Sequence, residues 1–142
     1  PLYAMIELLG RVATVDAHGS TRAVQVPIAD TTAVLLRFKS GASGLLTEMG
    51  APATYERLTF FGSKGWAEIR NNVQFEFQPV SGKGDKIDFP AFDAERAELE
   101  TFAAAVTGEK PFPVSPDDAV HGVAVLEAMN RSAKIAAPVT ID

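Results

Sequence analysis

Between Thr31 and Arg70, apolar residues gather into four short runs: Ala33 to Phe38, Leu45 to Met49, Leu58 to Phe61, and Trp66 to Ile69. Ser40-Gly41-Ala42-Ser43-Gly44 separates the first two, and Gly62-Ser63-Lys64-Gly65 the last two. Short runs joined by glycine-containing loops of three to five residues predict antiparallel hairpins. Side chains alternate across a strand, so Val34, Leu36 and Phe38 share one face while Leu35, Arg37 and Lys39 share the other. Leu58 and Phe60 likewise oppose Thr59 and Phe61, and Ala67 and Ile69 oppose Trp66 and Glu68. Neither face is wholly polar, whereas a sheet with one wet face alternates cleanly. The pattern predicts helices over one face and a second subunit over part of the other, since large exposed apolar patches mark interaction sites. The alternative is scattered exposed apolar residues, which are common.

The flanking segments supply the helices and further strands. Leu2, Met5, Ile6 and Leu9 have helical spacing, and Gly10 is placed to end that helix in the left-handed conformation. No capping residue precedes it, so the helix reads as the middle of a longer element and the chain as an excised piece of a larger protein. Arg11 to Ala17 reads as a strand. Thr21 to Ile28 is an edge strand or a loop, because Pro27 cannot donate to a ladder. Val73 to Val80 alternates Val73, Phe75 and Phe77 against Gln74, Glu76 and Gln78, which predicts a strand near an edge. After the turn Ser81 to Asp85, Lys86 to Phe89 returns as a short strand. Asp93 caps a helix with an inward stripe of Leu99, Phe102, Ala103 and Val106, closed by Gly108. Ser115-Pro116-Asp117-Asp118 opens the last helix, with Asp118 in the capping-box position. That helix runs to about Ile135 with Ala119, Val123, Leu126 and Ala133 inward, and Pro138 to Ile141 is a final strand. Strands gathered in the middle with helices at the ends predict an α+β fold: an open, mostly antiparallel mixed β-sheet with helices packed on one face.

Length and charge narrow the function classes. The 142 residues suit a single domain spanning 1–142. With 18 acidic against 13 basic side chains and a net charge of −5, the chain lacks the basic patch that nucleic acid or an anionic membrane requires. No apolar run has the length of a membrane span. The absence of Cys removes disulfides, zinc-thiolate sites and thiol nucleophiles, and suits a cytoplasmic protein.

Candidate chemistry is sparse. His18 and His121 are the only imidazoles; neither has a second His nearby for a metal pair, and both read as structural. Asp117 and Asp118 are better explained as capping acids than as a catalytic pair. Gly62 to Gly65 and Gly82-Lys83-Gly84 open no helix and therefore lack the amide-rich terminus of a phosphate loop. No dinucleotide fingerprint occurs. No catalytic, cofactor-binding or metal-binding residue is assigned. Tyr3, Tyr55, Met49 and Trp66 are the candidates for lining a small-molecule site, and Tyr3, Met49 and Tyr55 are assigned to substrate binding.

Three stretches together resemble the C-terminal domain of the Gfo/Idh/MocA family of nicotinamide-dependent oxidoreductases. They are Leu8-Leu9-Gly10-Arg11-Val12; Ala33 to Gly50 continuing into Leu58 to Ile69 with Phe60-Phe61-Gly62-Ser63-Lys64-Gly65-Trp66; and Glu100 to Val114 with Asp118-Ala119 and Arg131-Ser132-Ala133. The resemblance implies a parent enzyme using NAD or NADP on a sugar, inositol or similar polyol, with its N-terminal nucleotide-binding domain and catalytic Lys before Pro1. It also implies an open sheet face used for homo-oligomerisation, as in a dimer. Glu109-Lys110-Pro111 copies the family's Glu-Lys-Pro, but stands after a helix end and is not that site. Counting back from Gly10, the family's site Asp falls on Tyr3 and its His before Pro1. This fragment alone is expected to bind no cofactor and to be inactive. The rival reading is a non-catalytic small-molecule-binding or assembly module of the same fold.

Overall fold

Strands of the central stretch divide between two sheets. In the computed structural model, which describes residues 1–50, 53 and 55–141, the chain runs α1 (Leu2–Leu9), β1 (Val12–Ser20), β2 (Thr31–Phe38), β3 (Ser43–Met49), β4 (Arg57–Gly62), β5 (Gly65–Arg70), β6 (Gln74–Pro79), β7 (Asp85–Asp88), α2 (Ala94–Val106), α3 (Pro116–Ile135) and β8 (Val139–Thr140). Two compact units result, one of Pro1–Pro52 with Pro113–Asp142 and one of Ala53–Phe112. Each holds a four-stranded antiparallel sheet, in the order β3-β2-β1-β8 in the first and β4-β5-β6-β7 in the second. The α+β class with antiparallel pairing is therefore the observed one. Both predicted hairpins form, one joined by Lys39 to Ala42 and the other by Ser63-Lys64 alone. The tighter turn needs glycine: Gly65 has a φ of +148°, and a Cβ there would collide with the Gln78 carbonyl of β6.

The first unit carries the buried core. Val15 and Leu36 oppose each other across β1 and β2, as do Ala17 and Val34, and all four are buried together with Val12, Phe38, Val125 and Ala128. Met5 and Ile6 are the buried residues of α1, and the end of Met5 fills the space over Gly44 of β3, where a Cβ would collide with it. Gly10 ends the helix with a φ of +87° and a ψ of −169°, so its φ is positive but it lies outside the left-handed helical conformation that its place predicts. Thr21 to Ile28 is a loop, consistent with the proline it contains.

The inward stripe of α3 differs from the expected one. His121, Gly122, Val125, Ala128 and Ser132 are buried, whereas Val123 is 62% and Leu126 49% exposed and Ala133 is exposed. Two stripes with helical spacing run along this helix, and hydropathy favours the one without His and Ser. The buried stripe wins because its two polar side chains bond to the sheet. Ser115 caps α3 by accepting from the Asp118 amide at 3.1 Å, and its hydroxyl donates to the Asp118 carboxylate at 2.6 Å.

In the second unit the registers place Arg57, Thr59, Trp66, Glu68, Arg70, Gln74, Glu76 and Lys86 on one face of the sheet. Leu58, Phe60, Ala67, Ile69, Phe75, Phe77 and Ile87 lie on the other. The division is incomplete, since the same registers put Phe61 on the polar face and Asp85 on the apolar one. β6 is an interior strand with β7 at the edge, since Asp85–Asp88 pairs fully along it. Asp93 caps α2 by accepting from the Arg96 amide at 2.9 Å. The stripe expected to pack does not: Leu99, Phe102 and Val106 are exposed, and within this unit Phe102 meets Phe112 edge-on, ring centroids 6.0 Å apart.

Candidate functional site

The Tyr3 side chain leaves α1 and lies against α3. A Cβ added at Gly122 would stand 2.6 Å from the Tyr3 ring and its hydroxyl oxygen. The absent side chain at Gly122 leaves room for this ring, and Tyr3 remains 41% exposed. Beside this contact, buried His121 accepts the Val12 amide on Nε2 at 2.9 Å. An Nε2 that accepts fixes the neutral tautomer with the proton on Nδ1, and Nδ1 is buried without a partner among the described residues. Burial lowers the His121 pKa, and the nearby Arg11 and Lys39 charges lower it further against an opposing pull from Asp118.

Met49 occupies the opposite end of the same sheet. It ends β3 opposite Thr31 and is 61% exposed, whereas Met5 and α1 reach β3 at Gly44, roughly 17 Å away along the strand. Next to Met49, Asp30 organises the loop between β1 and β2. Its carboxylate accepts the amides of Arg22, Ala23 and Val24 at 2.6 to 3.0 Å and the Thr31 hydroxyl at 3.1 Å. These bonds, led by Val24 and Ala23, bring its pKa down to about 2. The carboxylate fills a nest of amides that would otherwise attract an outside anion, so its role is to hold the loop.

Tyr55 belongs to the second unit, just before β4, and is 74% exposed. Part of the Met49 to Tyr55 connection lies outside the described residues. Tyr3 and Met49 thus stand at opposite ends of one unit's sheet, and Tyr55 in the other unit. Trp66 lies on β5, paired with Phe61 and Gln78.

The second unit contributes one polar cluster that hydropathy does not reveal. Glu68 is 5% exposed; it accepts from Thr59 at 2.8 Å, from Arg57 Nε at 2.8 Å and from Arg70 Nε at short range. Burial raises the Glu68 pKa, but the Thr59 and Arg70 bonds and the Arg57 charge outweigh it, leaving the group below its ordinary value. The legible signal was spacing: Arg57, Thr59, Glu68 and Arg70 share one face once the two-residue turn sets the register. His18 lies exposed on β1. Glu109-Lys110-Pro111 follows α2 and Gly108, whose φ is +79°, in the connection to α3. Among the described residues no group of three or more His, Asp or Glu is arranged to hold a metal, and no helix is long and apolar enough to cross a membrane.

Comparison with known proteins adds the context of this geometry. The profile described as the oxidoreductase family, C-terminal alpha/beta domain, matches residues 2–141. Among solved structures, an aldose-aldose oxidoreductase from Caulobacter crescentus, complexed with glycerol, superposes with a TM-score of 0.80 at 23% identity, over 99% of this chain and 44% of that one. The WlbA dehydrogenase from Bordetella pertussis, in complex with NADH and UDP-GlcNAcA, gives 0.76 at 20% identity, over 99% and 42%. An oxidoreductase from Agrobacterium radiobacter, in complex with NAD+, L-tartaric acid and magnesium, gives 0.81 at 17%, over 96% and 45%. The chain therefore spans less than half the length of each of these proteins. No curated protein sequence matches it.

Proposed function

The chain belongs to the Gfo/Idh/MocA oxidoreductase family, as a C-terminal alpha/beta domain, and from that premise we propose that it is the substrate-binding and oligomerising domain of an NAD- or NADP-dependent oxidoreductase acting on a sugar, inositol or similar polyol. The observation that carries this reading is the extent of the match, which takes in residues 2–141 while covering only 42–45% of the compared oxidoreductases. Hydride transfer needs a nicotinamide held against a carbinol carbon, and the protein's part is to bind, orient and shield the reactants. Residues 1–142 form the polyol-binding part of that enzyme, and an N-terminal nucleotide-binding domain supplies the cofactor site and the catalytic Lys. A cytoplasmic location belongs to the same reading, supported by the Cys-free sequence.

Tyr3, Met49 and Tyr55 are the proposed substrate contacts. The placement of Tyr3 on Gly122 supports a fixed ring that presents its hydroxyl at the α1–α3 seam. Because Met49 lies at the far end of the sheet, Tyr3 and Met49 contact different parts of a large substrate or different ligands. Homo-oligomerisation uses the open sheet face, supported by Leu35 and Leu45, which are cross-strand partners on the outer face of β2 and β3 and are 39% and 71% exposed.

Calorimetry with NAD and with NADP tests the division of labour. The 142-residue chain is expected to release no binding heat with either, whereas the chain joined to its nucleotide-binding half binds one of them and oxidises a polyol. Tight binding by the chain alone overturns the reading. Sedimentation tests oligomerisation: Leu45→Glu is expected to shift the chain to monomer, and an unchanged sedimentation coefficient counts against this face. The second reading, a non-catalytic binding or assembly module, is favoured by Tyr3 standing where the resemblance places an Asp. Absence of turnover in the joined protein, with polyol binding retained, selects it.

A further inference from the structure

β8 is two residues long and pairs with Thr14 and Val15 of β1, so it leaves amides of β1 on either side without a strand partner. Two of them are met by α3. Ser132 accepts the Ala17 amide at 2.9 Å and donates its own hydroxyl hydrogen bond to the Ala137 carbonyl at 2.8 Å. At the other end, the ladder between β1 and β2 shifts register between Val12 and Thr14, and the Val12 amide donates to His121 Nε2 at 2.9 Å. The two stitches differ in chemistry. A hydroxyl accepts and donates at once whatever the pH, but an imidazole accepts only while neutral.

We propose that His121 is an acid-sensitive latch, closing the seam between the start of β1 and the first turns of α3 while neutral and releasing it when protonated. A proton taken up from solvent at Nε2 would set N–H against the Val12 N–H, so the hydrogen bond is lost and the amide must find water. The resulting imidazolium is buried, with His121 only 1% exposed. Arg11, between α1 and β1, and Lys39, after β2, oppose the cation; Asp118, one turn earlier on α3, favours it. From α1, Tyr3 rests on Gly122, the next residue, so release of the latch also loosens the seam that seats this ring. The depressed His121 pKa agrees in sign. A histidine harder to protonate folded than unfolded contributes stability above the ordinary value of 6.5 and loses it as pH falls below that value toward the folded one.

Urea unfolding of the 142-residue chain at about pH 7.5 and about pH 5.5 reads this directly, because each pH unit inside the window lowers the folded-to-unfolded ratio by up to about tenfold. The wild-type midpoint is expected to fall between the two pH values. His121→Gln, whose Oε1 accepts the Val12 amide without titrating, is expected to keep its midpoint, and His18→Gln to fall like the wild type. A flat wild type, or the same fall in His121→Gln, overturns the proposal. Long-range proton–nitrogen NMR on the wild type stands even where the Gln variant does not fold. The expected result is a proton on Nδ1 of His121 at neutral pH and faster exchange of the Val12 amide in acid than of the Ala17 amide. An Nε2 proton at neutral pH, or equal acid response of the two amides, overturns it.

Discussion

The two units use similar four-stranded sheets to different ends. In the first, Leu36, Val12, Val15 and Val125 are fully buried, and α3 is bonded to β1 through His121 and Ser132. In the second, Glu68 is the only buried residue among those described, although the apolar face carries Leu58, Phe60, Ile69, Phe75 and Phe77. Burial of apolar area dominates folding energy, on the order of 25 cal/mol per Å², so the first unit supplies its own stability. The second leaves Leu58, Phe60, Phe75 and Phe77 half-buried and Ile69 39% exposed, so strand registers and one ionic cluster carry more of its order. A sheet that is apolar on one face and ion-paired on the other is thus no guarantee of a core.

The largest expected effect tests that contrast. Leu36→Ala should cost about 2–5 kcal/mol in urea unfolding, whereas Ile69→Ala, at a residue already 39% exposed, should cost less than about 1 kcal/mol. Equal losses would mean that the second unit buries its face in solution. Next comes Glu68→Gln, which leaves Arg57 and Arg70 facing a neutral amide. Because both arginine side chains are more than 40% exposed, water screens part of the loss, and about 1–2 kcal/mol is expected.

A smaller effect sharpens the account of the first unit. Gly122→Ala should gain about 1 kcal/mol of helix propensity and lose a similar amount by pressing on Tyr3, for little net change. In a Tyr3→Ala background the gain should appear alone, giving a coupling of about 1 kcal/mol in the double-mutant cycle; no coupling would mean that the ring does not rest there. The last effect is one of pH, and it leaves the protein at neutral pH unchanged. Asp30 has a folded pKa of about 2 against an ordinary 3.8, so its contribution is complete above the ordinary value and is lost as pH falls from about 4 toward 2. Acid unfolding followed by circular dichroism should show this component in the wild type and lose it in Asp30→Asn.

Much of the fold is legible in the chain because its signals are local. Hairpins at Ser40 to Gly44 and Gly62 to Gly65, caps at Asp93 and Ser115, and the helix end at Gly10 depend on backbone geometry that a few neighbouring residues decide. The buried stripe of α3 is not legible, because His121 and Ser132 are inward for what they bond on β1, more than 100 residues away in sequence. For the same reason the candidate residues Tyr3 and Met49 look alike in sequence, yet one is seated on Gly122 and the other ends an exposed strand.

The amino-acid sequence by itself determined the elements, the antiparallel hairpins and the family, because periodicity, turn chemistry and motif order act within short stretches of chain. Tertiary structure alone decided the division of the strands between two sheets, the burial of Glu68 between two arginines and the pairing of His121 with Val12. Each of these depends on which distant backbone or charge a polar group meets once water is excluded, and burial makes that partner decisive.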